Sequence, residues 1–305
     1  MKYSIFVLIF FFSASSFSQE KYPTNYFRSP LDIPIVLSGT FGELRSNHFH
    51  SGVDIKTQGK EGFKVYAAAD GYVSRIKISQ YGFGKAIYVT HLNGYTTVYA
   101  HLSAYTDKIE KFVKSIQYKK EQYSTGNIFL KDGRFSIKKG EVIAFSGDTG
   151  GSGGPHLHYE IRSTETEKII NPMLFGLLPE DTKPPTIQAL MVYPLNTDAR
   201  INDENLKFRI PIKNNGNGNY TTERIFASGS IGFGINVFDR LNKALNKNGI
   251  YSLEMLVNGQ RFYYHDLETF SFPESKFINL LIDYKYYKKY KSRIQKTHKV
   301  AANKL

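Results

Sequence analysis

Ala86-Ile87-Tyr88-Val89-Thr90-His91-Leu92-Asn93-Gly94-Tyr95-Thr96-Thr97-Val98-Tyr99-Ala100-His101-Leu102 is the stretch whose reading decides the fold. Two β-rich runs flank Asn93-Gly94, a dipeptide that takes a tight hairpin turn readily because both residues tolerate positive φ. Tyr95-Thr96-Thr97-Val98-Tyr99 roughly alternates polar with apolar, the period of a strand with one face on a core. Upstream, residues 65–69 and 72–78 flank a second hairpin signal, Asp70-Gly71. Downstream, residues 140–145 and 157–162 read as further strands. The pattern predicts a mainly β protein whose first domain is an antiparallel sheet. An insertion at about residues 106–137 interrupts it. Its first part carries Ile109, Phe112, Val113 and Ile116 at helical spacing, with Lys108, Lys111 and Lys114 outward. Residues 127–137 then read as a hairpin-like return to the sheet. Such an insertion is either a wall beside a groove or a passive elaboration of the surface.

The chain has 305 residues, 41% of them hydrophobic, which excludes a disordered polymer and allows two cores. Its 40 Lys and Arg outnumber 27 Asp and Glu, for a formal charge of +13, and basic residues crowd the end from Lys285 to Lys304. That balance favours non-specific attraction to a polyanion. Outside the cytoplasm the polyanions are anionic cell-wall polymers and membrane surfaces, so no nucleic acid partner is expected. The first residues point outside. Lys2, an apolar run at 5–12 and the site Ser16-Phe17-Ser18 predict a signal peptide over 1–18, cleaved before Gln19. The run is short of the about 20 residues that span a bilayer, so the mature chain is expected to have no transmembrane segment and to be periplasmic or extracellular. A retained N-terminal anchor is the alternative reading. There is no Cys. Disulfides and a cysteine-linked lipid anchor are therefore excluded, and any transition-metal site must be built from His, Asp and Glu.

The expected organisation is a first domain over 19–172, a Pro-rich linker over 173–186 and a smaller β-sandwich-like domain over 187–305. The linker carries Pro179, Pro184 and Pro185. The last part has short β-like runs at 187–193, 206–212, 229–237, 250–257 and 261–264, with Asn258-Gly259 as a hairpin turn. It ends in a basic tail with Tyr284, Tyr286, Tyr287 and Tyr290, read either as sugar-stacking rings or as a partly solvated edge.

The residues that carry chemistry lie in the first domain. His50-Ser51-Gly52-Val53-Asp54 offers a His and an Asp, and His156-Leu157-His158 offers two His. On a strand, residues two apart share a face, about 6.6 Å from one another. A catalytic zinc site takes three protein ligands and a water. His50, Asp54 and one of the paired histidines fill such a sphere, leaving the other to act on the water. Zinc lowers the pKa of that water from 15.7 to about 7, and an imidazole is suited to take its proton. Each piece alone is unspecific. His91 reads as a structural hydrogen-bonder, His48 as a neighbour of the groove, His265 and His298 as surface residues, and Tyr159 and Glu160 as structural.

Further segments accompany the cluster in order: Phe41-Gly42, Arg45, residues 50–55, Ala67-Ala68-Ala69-Asp70-Gly71-Tyr72-Val73, Tyr99-Ala100-His101-Leu102-Ser103, and Ser146-Gly147-Asp148-Thr149-Gly150 running on to Ile161. Together they resemble the lysostaphin-type, or LytM-like, zinc metallo-endopeptidases over residues 36–172. The resemblance implies an antiparallel sheet of the duplicated hybrid motif type with a groove across its face. It implies one Zn2+ held by His50, Asp54 and His158. It gives His156 the role of general base, and His101 that of oxyanion stabiliser or proton shuttle. It implies hydrolysis of peptide cross-links in peptidoglycan. The insertion is the main departure, and it bears on substrate preference. Two other functions compete: a non-catalytic LytM-like regulator of cell-wall amidases, which usually lacks some of these residues, and a wall-binding module.

Overall fold

A computed structural model describes residues 21–131, 133–300 and 302–303. The signal-peptide reading of residues 1–18 lies outside these. The groove is positioned by β1 (Leu37–Gly39), β2 (Val53–Lys56), β3 (Gly71–Ile78), β4 (Lys85–His91), β5 (Tyr95–Ala100), β6 (Gly126–Phe129) and β7 (His156–Ser163). They lie in the order β1-β2-β7-β5-β4-β3-β6 within a ten-stranded sheet, with every neighbouring pair antiparallel. The hairpin read around Asn93-Gly94 joins β4 to β5, with Thr90 opposite Thr96.

Alternation on β7 separates core from groove. Leu157, Tyr159 and Ile161 are fully buried with Val53, Ile55, Ile87 and Tyr99 in the main core. His156, His158, Glu160 and Arg162 point to the other face. Pairing sets His158 opposite Asp54 on β2 and Ala100 on β5. A one-residue slip would carry every one of these side chains to the wrong face, so the buried Leu-Tyr-Ile set fixes the register of the site.

Two turn readings need correction. Asp70-Gly71 is not a hairpin turn. The strand before it, Lys64–Tyr66, pairs with Val142–Phe145 in a separate three-stranded sheet, so the chain turns a corner from one sheet to another. Residues 127–137 are not a hairpin either. β6 and the short strand Ser136–Ile137 both pair with β3, at Arg75–Ile78 and at Gly71–Tyr72, as one interrupted edge strand. They supply partners to the backbone groups that β3 would otherwise leave open. Between β5 and β6 the predicted helix, α1 (Asp107–Lys120), buries Ile109 and Val113. Asp107 and Glu110 occupy its first turn and Lys119 and Lys120 its last, each sign matched to the helix dipole.

His91 shows how the sheet uses a buried imidazole. Its Nδ1 donates to the Asp70 carbonyl and its Nε2 lies against Thr97 Oγ1, each at 2.8 Å. Burial lowers its pKa below the usual 6.5, against an opposing pull from Asp70. The sign follows: below about 6.5 the unfolded chain takes up a proton that the folded chain refuses, so the stability from neutral His91 is present above that pH and lost as pH falls. His91→Gln is expected to flatten the acid side of the melting-temperature profile between about pH 7 and 5. A variant whose profile parallels the parent's would exclude this role for His91.

Beyond residue 186, β8 (Thr186–Pro194), β9 (Phe208–Ile210), β10 (Ile231–Phe238) and β11 (Gln295–Lys296) form a four-stranded antiparallel sheet, ordered β9-β8-β10-β11. Two-stranded ladders flank it, one turning at Asn258-Gly259, where both residues take positive φ of 51° and 79°. The Tyr/Lys-rich stretch is a short helix, Tyr284–Tyr290, capped by the Asp283 carboxylate, and Tyr286 packs on Ala189, Met191 and Ile294. This part also enters the first core. Thr269–Phe270 pairs with Ile169–Ile170 on the main sheet. The Phe270 ring lies 5.0 Å from Phe41 and 5.4 Å from Phe49, in the loop that leads to His50. Among the described residues no helix is long and apolar enough to cross a membrane.

Candidate metal centre

His50, Asp54 and His158, all buried, bring one ligand atom each within 4.8 Å of the others. The second polar atom of each is already engaged, which fixes what faces inward. His50 Nδ1 donates to the Thr40 carbonyl at 2.8 Å, so Nε2 presents a lone pair. His158 Nε2 donates to Glu160 Oε1 at 3.0 Å, so Nδ1 presents a lone pair. Asp54 Oδ2 accepts from the Arg45 guanidinium at 3.2 Å and leaves Oδ1 to the centre. The three inward atoms stand 2.9, 3.0 and 3.1 Å apart. Tetrahedral ligands at about 2.0–2.2 Å from an ion sit roughly 3.3 Å from one another, so the triangle has the size of a metal cage. Three acceptors meeting without a donor among them call for a cation. Burial alone would lower the pKa of His158, but Asp54 and Glu160 outweigh it and raise it to about 9, so a proton on Nδ1 competes with a cation for the same cage and the lone pair is presented only when that proton leaves. Burial likewise resists ionisation of Asp54, yet His50, His156 and His158 hold its carboxyl well below the usual range.

Two more histidines flank the cage. His156 Nδ1 donates to the Gly154 carbonyl at 2.8 Å, and its Nε2 lies 3.4 Å from Asp54 Oδ1. Burial acts against its protonation, but Asp54 wins and raises its pKa. His101 takes positive φ, 59°, which swings its ring back over β7, and Nδ1 donates to the Thr149 carbonyl at 2.8 Å. Burial, then His158, brings its pKa down to about 4. The two rings lie 4.7 Å apart. In its neutral form each offers a bare Nε2 to the same groove. His48 lines that groove too, whereas His265 and His298 are half-buried beside a separate cavity rather than on the open surface.

Close packing explains the glycines. A Cβ at Gly52 would lie 2.4 Å from the Tyr159 carbonyl and 3.0 Å from His158 Cε1, so β2 can approach β7 only without a side chain there. The glycine-rich turn at 147–154 has a backbone free to come into close contact. At Gly150 that freedom is used on the protein itself, since a Cβ would fall 2.3 Å from the Gly84 nitrogen.

Residues 48–127 and 120–172 match peptidase family M23. Over this segment the chain is similar to the M23 peptidases. It is 36% identical over 119 residues to the DD-carboxypeptidase/endopeptidase Mpg of Neisseria meningitidis serogroup B, covering 39% of this chain and 21% of that protein. It is 31% identical over 143 residues to the peptidoglycan DD-endopeptidase ShyC of Vibrio cholerae, covering 44% and 26%. The chain thus spans about a fifth to a quarter of the length of these relatives. Among solved structures, the catalytic domain of lysostaphin from Staphylococcus simulans is 26% identical, with 47% of this chain and 92% of that one covered and a TM-score of 0.34.

Around the candidate centre stand residues that the sequence reading left out or undervalued. Arg45 braces the Asp54 carboxylate. Glu160, read as structural, orients His158 and is itself gripped by Arg162 at 2.7 Å. The Thr40 carbonyl sets the tautomer of His50, and Thr40 Oγ1 accepts from the Gly249 amide at 3.1 Å. The Phe49 amide donates to Ser275 Oγ at 2.8 Å. The C-terminal part therefore clamps both ends of the loop that delivers His50. Arg45 had a sequence signal in its place among the matching segments, and Glu160 in its place two residues beyond His158 on an alternating strand; the others had none. The 106–137 insertion is absent from the described lining of the groove, which has a volume of about 510 Å³.

Proposed function

We propose that the protein is a zinc-dependent endopeptidase that hydrolyses peptide cross-links of peptidoglycan outside the cytoplasm, reached through the export segment at 1–18. The observation that carries the reading is the convergence of three lone pairs from His50, Asp54 and His158 beneath two further bare imidazole nitrogens. A donor set of two nitrogens and one oxygen, without sulfur, suits zinc with an open position. When bound, zinc supplies a Lewis acid and acidifies the water it holds toward neutrality.

The chain's own residues do the rest. His156, fixed by Gly154, takes a proton at Nε2 from the attacking water and returns it to the departing amine. His101, fixed by Thr149, carries a second Nε2 on the facing wall, where it shuttles a proton and, once protonated, steadies developing negative charge. Arg45 and Glu160 keep the ligand atoms aimed. The relatives whose names include peptidoglycan DD-endopeptidase support the substrate class, and the +13 charge suits residence on an anionic wall.

Digestion of purified peptidoglycan, read by mass analysis of released muropeptides, tests the reading. Release is expected with zinc, none with a chelator, and recovery when zinc is restored. Release indifferent to chelation, or no release by folded zinc-loaded protein, would overturn it.

A further inference from the structure

One residue lining the groove comes from the C-terminal part, beyond the segment similar to the M23 peptidases. Arg293 lines it together with Arg45, His48 and His156. Both of its neighbours are held: the Ser292 side chain accepts at Oγ from Asn236 Nδ2 at 2.6 Å, and the Ile294 carbonyl accepts from the Asp283 amide at 2.8 Å. Ile294 itself is fully buried. The guanidinium lies over the Tyr287 ring at 4.7 Å and donates through one terminal nitrogen to the Tyr287 hydroxyl at 3.2 Å. Among the described residues no carboxylate forms an ion pair with Arg293, whereas Arg45 on the same wall is held by Asp54 at 3.2 Å and Glu43 at 3.6 Å. Arg293 Nε is buried and has no acceptor.

A positioned guanidinium with a stacked face and an unused donor edge is built for a planar anion. The geometry points to Arg293 as a specificity-determining residue that binds a free carboxylate of the substrate peptide while the scissile bond lies over His50, Asp54 and His158. The inference rests on the endopeptidase reading for the identity of that peptide. It makes the C-terminal part a component of the substrate site, selecting stem peptides with an ionised carboxyl over amidated ones.

The test uses the full zinc-loaded protein and two fluorescein-labelled cross-linked stem peptides, identical except that one bears a free carboxyl near the cross-link and the other its carboxamide. Binding is read by fluorescence anisotropy and cleavage by chromatography. The parent protein is expected to prefer the carboxylate in both, by roughly ten-fold or more, the worth of a charge-assisted hydrogen bond. Arg293→Gln should abolish the preference, and Arg293→Lys, which keeps the charge without the fork, should retain part of it. A parent protein with equal affinity for the two peptides overturns the inference without any variant. So does Arg293→Gln with lowered melting temperature and an unchanged carboxylate-to-amide ratio, which would leave Arg293 a structural partner of Tyr287. Carboxylate-selective binding without cleavage of either peptide would instead refute the endopeptidase reading and leave Arg293 as an anion site.

Discussion

On the proposed function, His158→Ala is expected to remove zinc and hydrolysis together, whereas His156→Ala is expected to remove hydrolysis and leave the metal in place. The two side chains lie on one face of one strand, and their spacing alone leaves their roles interchangeable, although the family resemblance makes His158 the ligand and His156 the base. Their surroundings separate them. His158 is within 3.1 Å of both other ligand atoms, and its far nitrogen is committed to Glu160. His156 stands outside that triangle, 3.4 Å from Asp54, with its bare nitrogen toward the groove. Deleting the first breaks a three-ligand cage. Deleting the second removes a proton acceptor worth about 10²–10⁴ in rate. Metal content by elemental analysis and release of dye from labelled sacculi give the two readouts on the same preparations. Loss of zinc from His156→Ala, with retention in His158→Ala, would reverse the roles. The experiment also decides between enzyme and wall-binding module, since binding to sacculi should survive in both variants.

The parts of the site that were legible in sequence are those that depend on short spacing. Period-two alternation put His156 and His158 on one face, and Asn93-Gly94 announced the β4–β5 hairpin that places Ala100 beside His158. What could not be read depends on which strand lies next to which. Asp70-Gly71 carries a turn signal of the same kind as Asn93-Gly94, but its flanking strands go to different sheets, and only tertiary pairing decides that. The Thr40 carbonyl has no side-chain signature at all. Arg293 and Ser275 reach the centre only because Phe270 docks the C-terminal part against Phe41 and Phe49. Glu160 sat in plain view, but its reading as structural did not extend to the hydrogen bond that aims His158.

That omission leads to the second large effect. Glu160→Gln is expected to cost about 3 kcal/mol or more of stability and about 10–100-fold in zinc affinity. Glu160 is fully buried and serves two donors at once, His158 Nε2 through Oε1 and Arg162 through Oε2. Burial opposes its ionisation, but Arg162 and then His158 outweigh it and bring its pKa to about 2. A glutamine has a single acceptor oxygen. If that oxygen keeps His158, an amide NH2 faces the buried Arg162 guanidinium, two donors in contact. If it keeps Arg162, His158 loses the bond that sets its tautomer. Arg162 retains Glu167 at 2.9 Å, but that carboxylate is half-exposed and also serves Arg75 at 2.7 Å, so it compensates weakly. Urea denaturation of the metal-free protein isolates the stability term, and competition with a chromophoric chelator isolates the affinity term. A paired change, Glu160→Gln with Arg162→Met, should restore most of the stability, because the orphaned charge is gone, while leaving zinc affinity low, because His158 still lacks its ionised partner. Recovery of both quantities in the double variant would mean that Glu160 acts on the fold alone and not on the aim of His158.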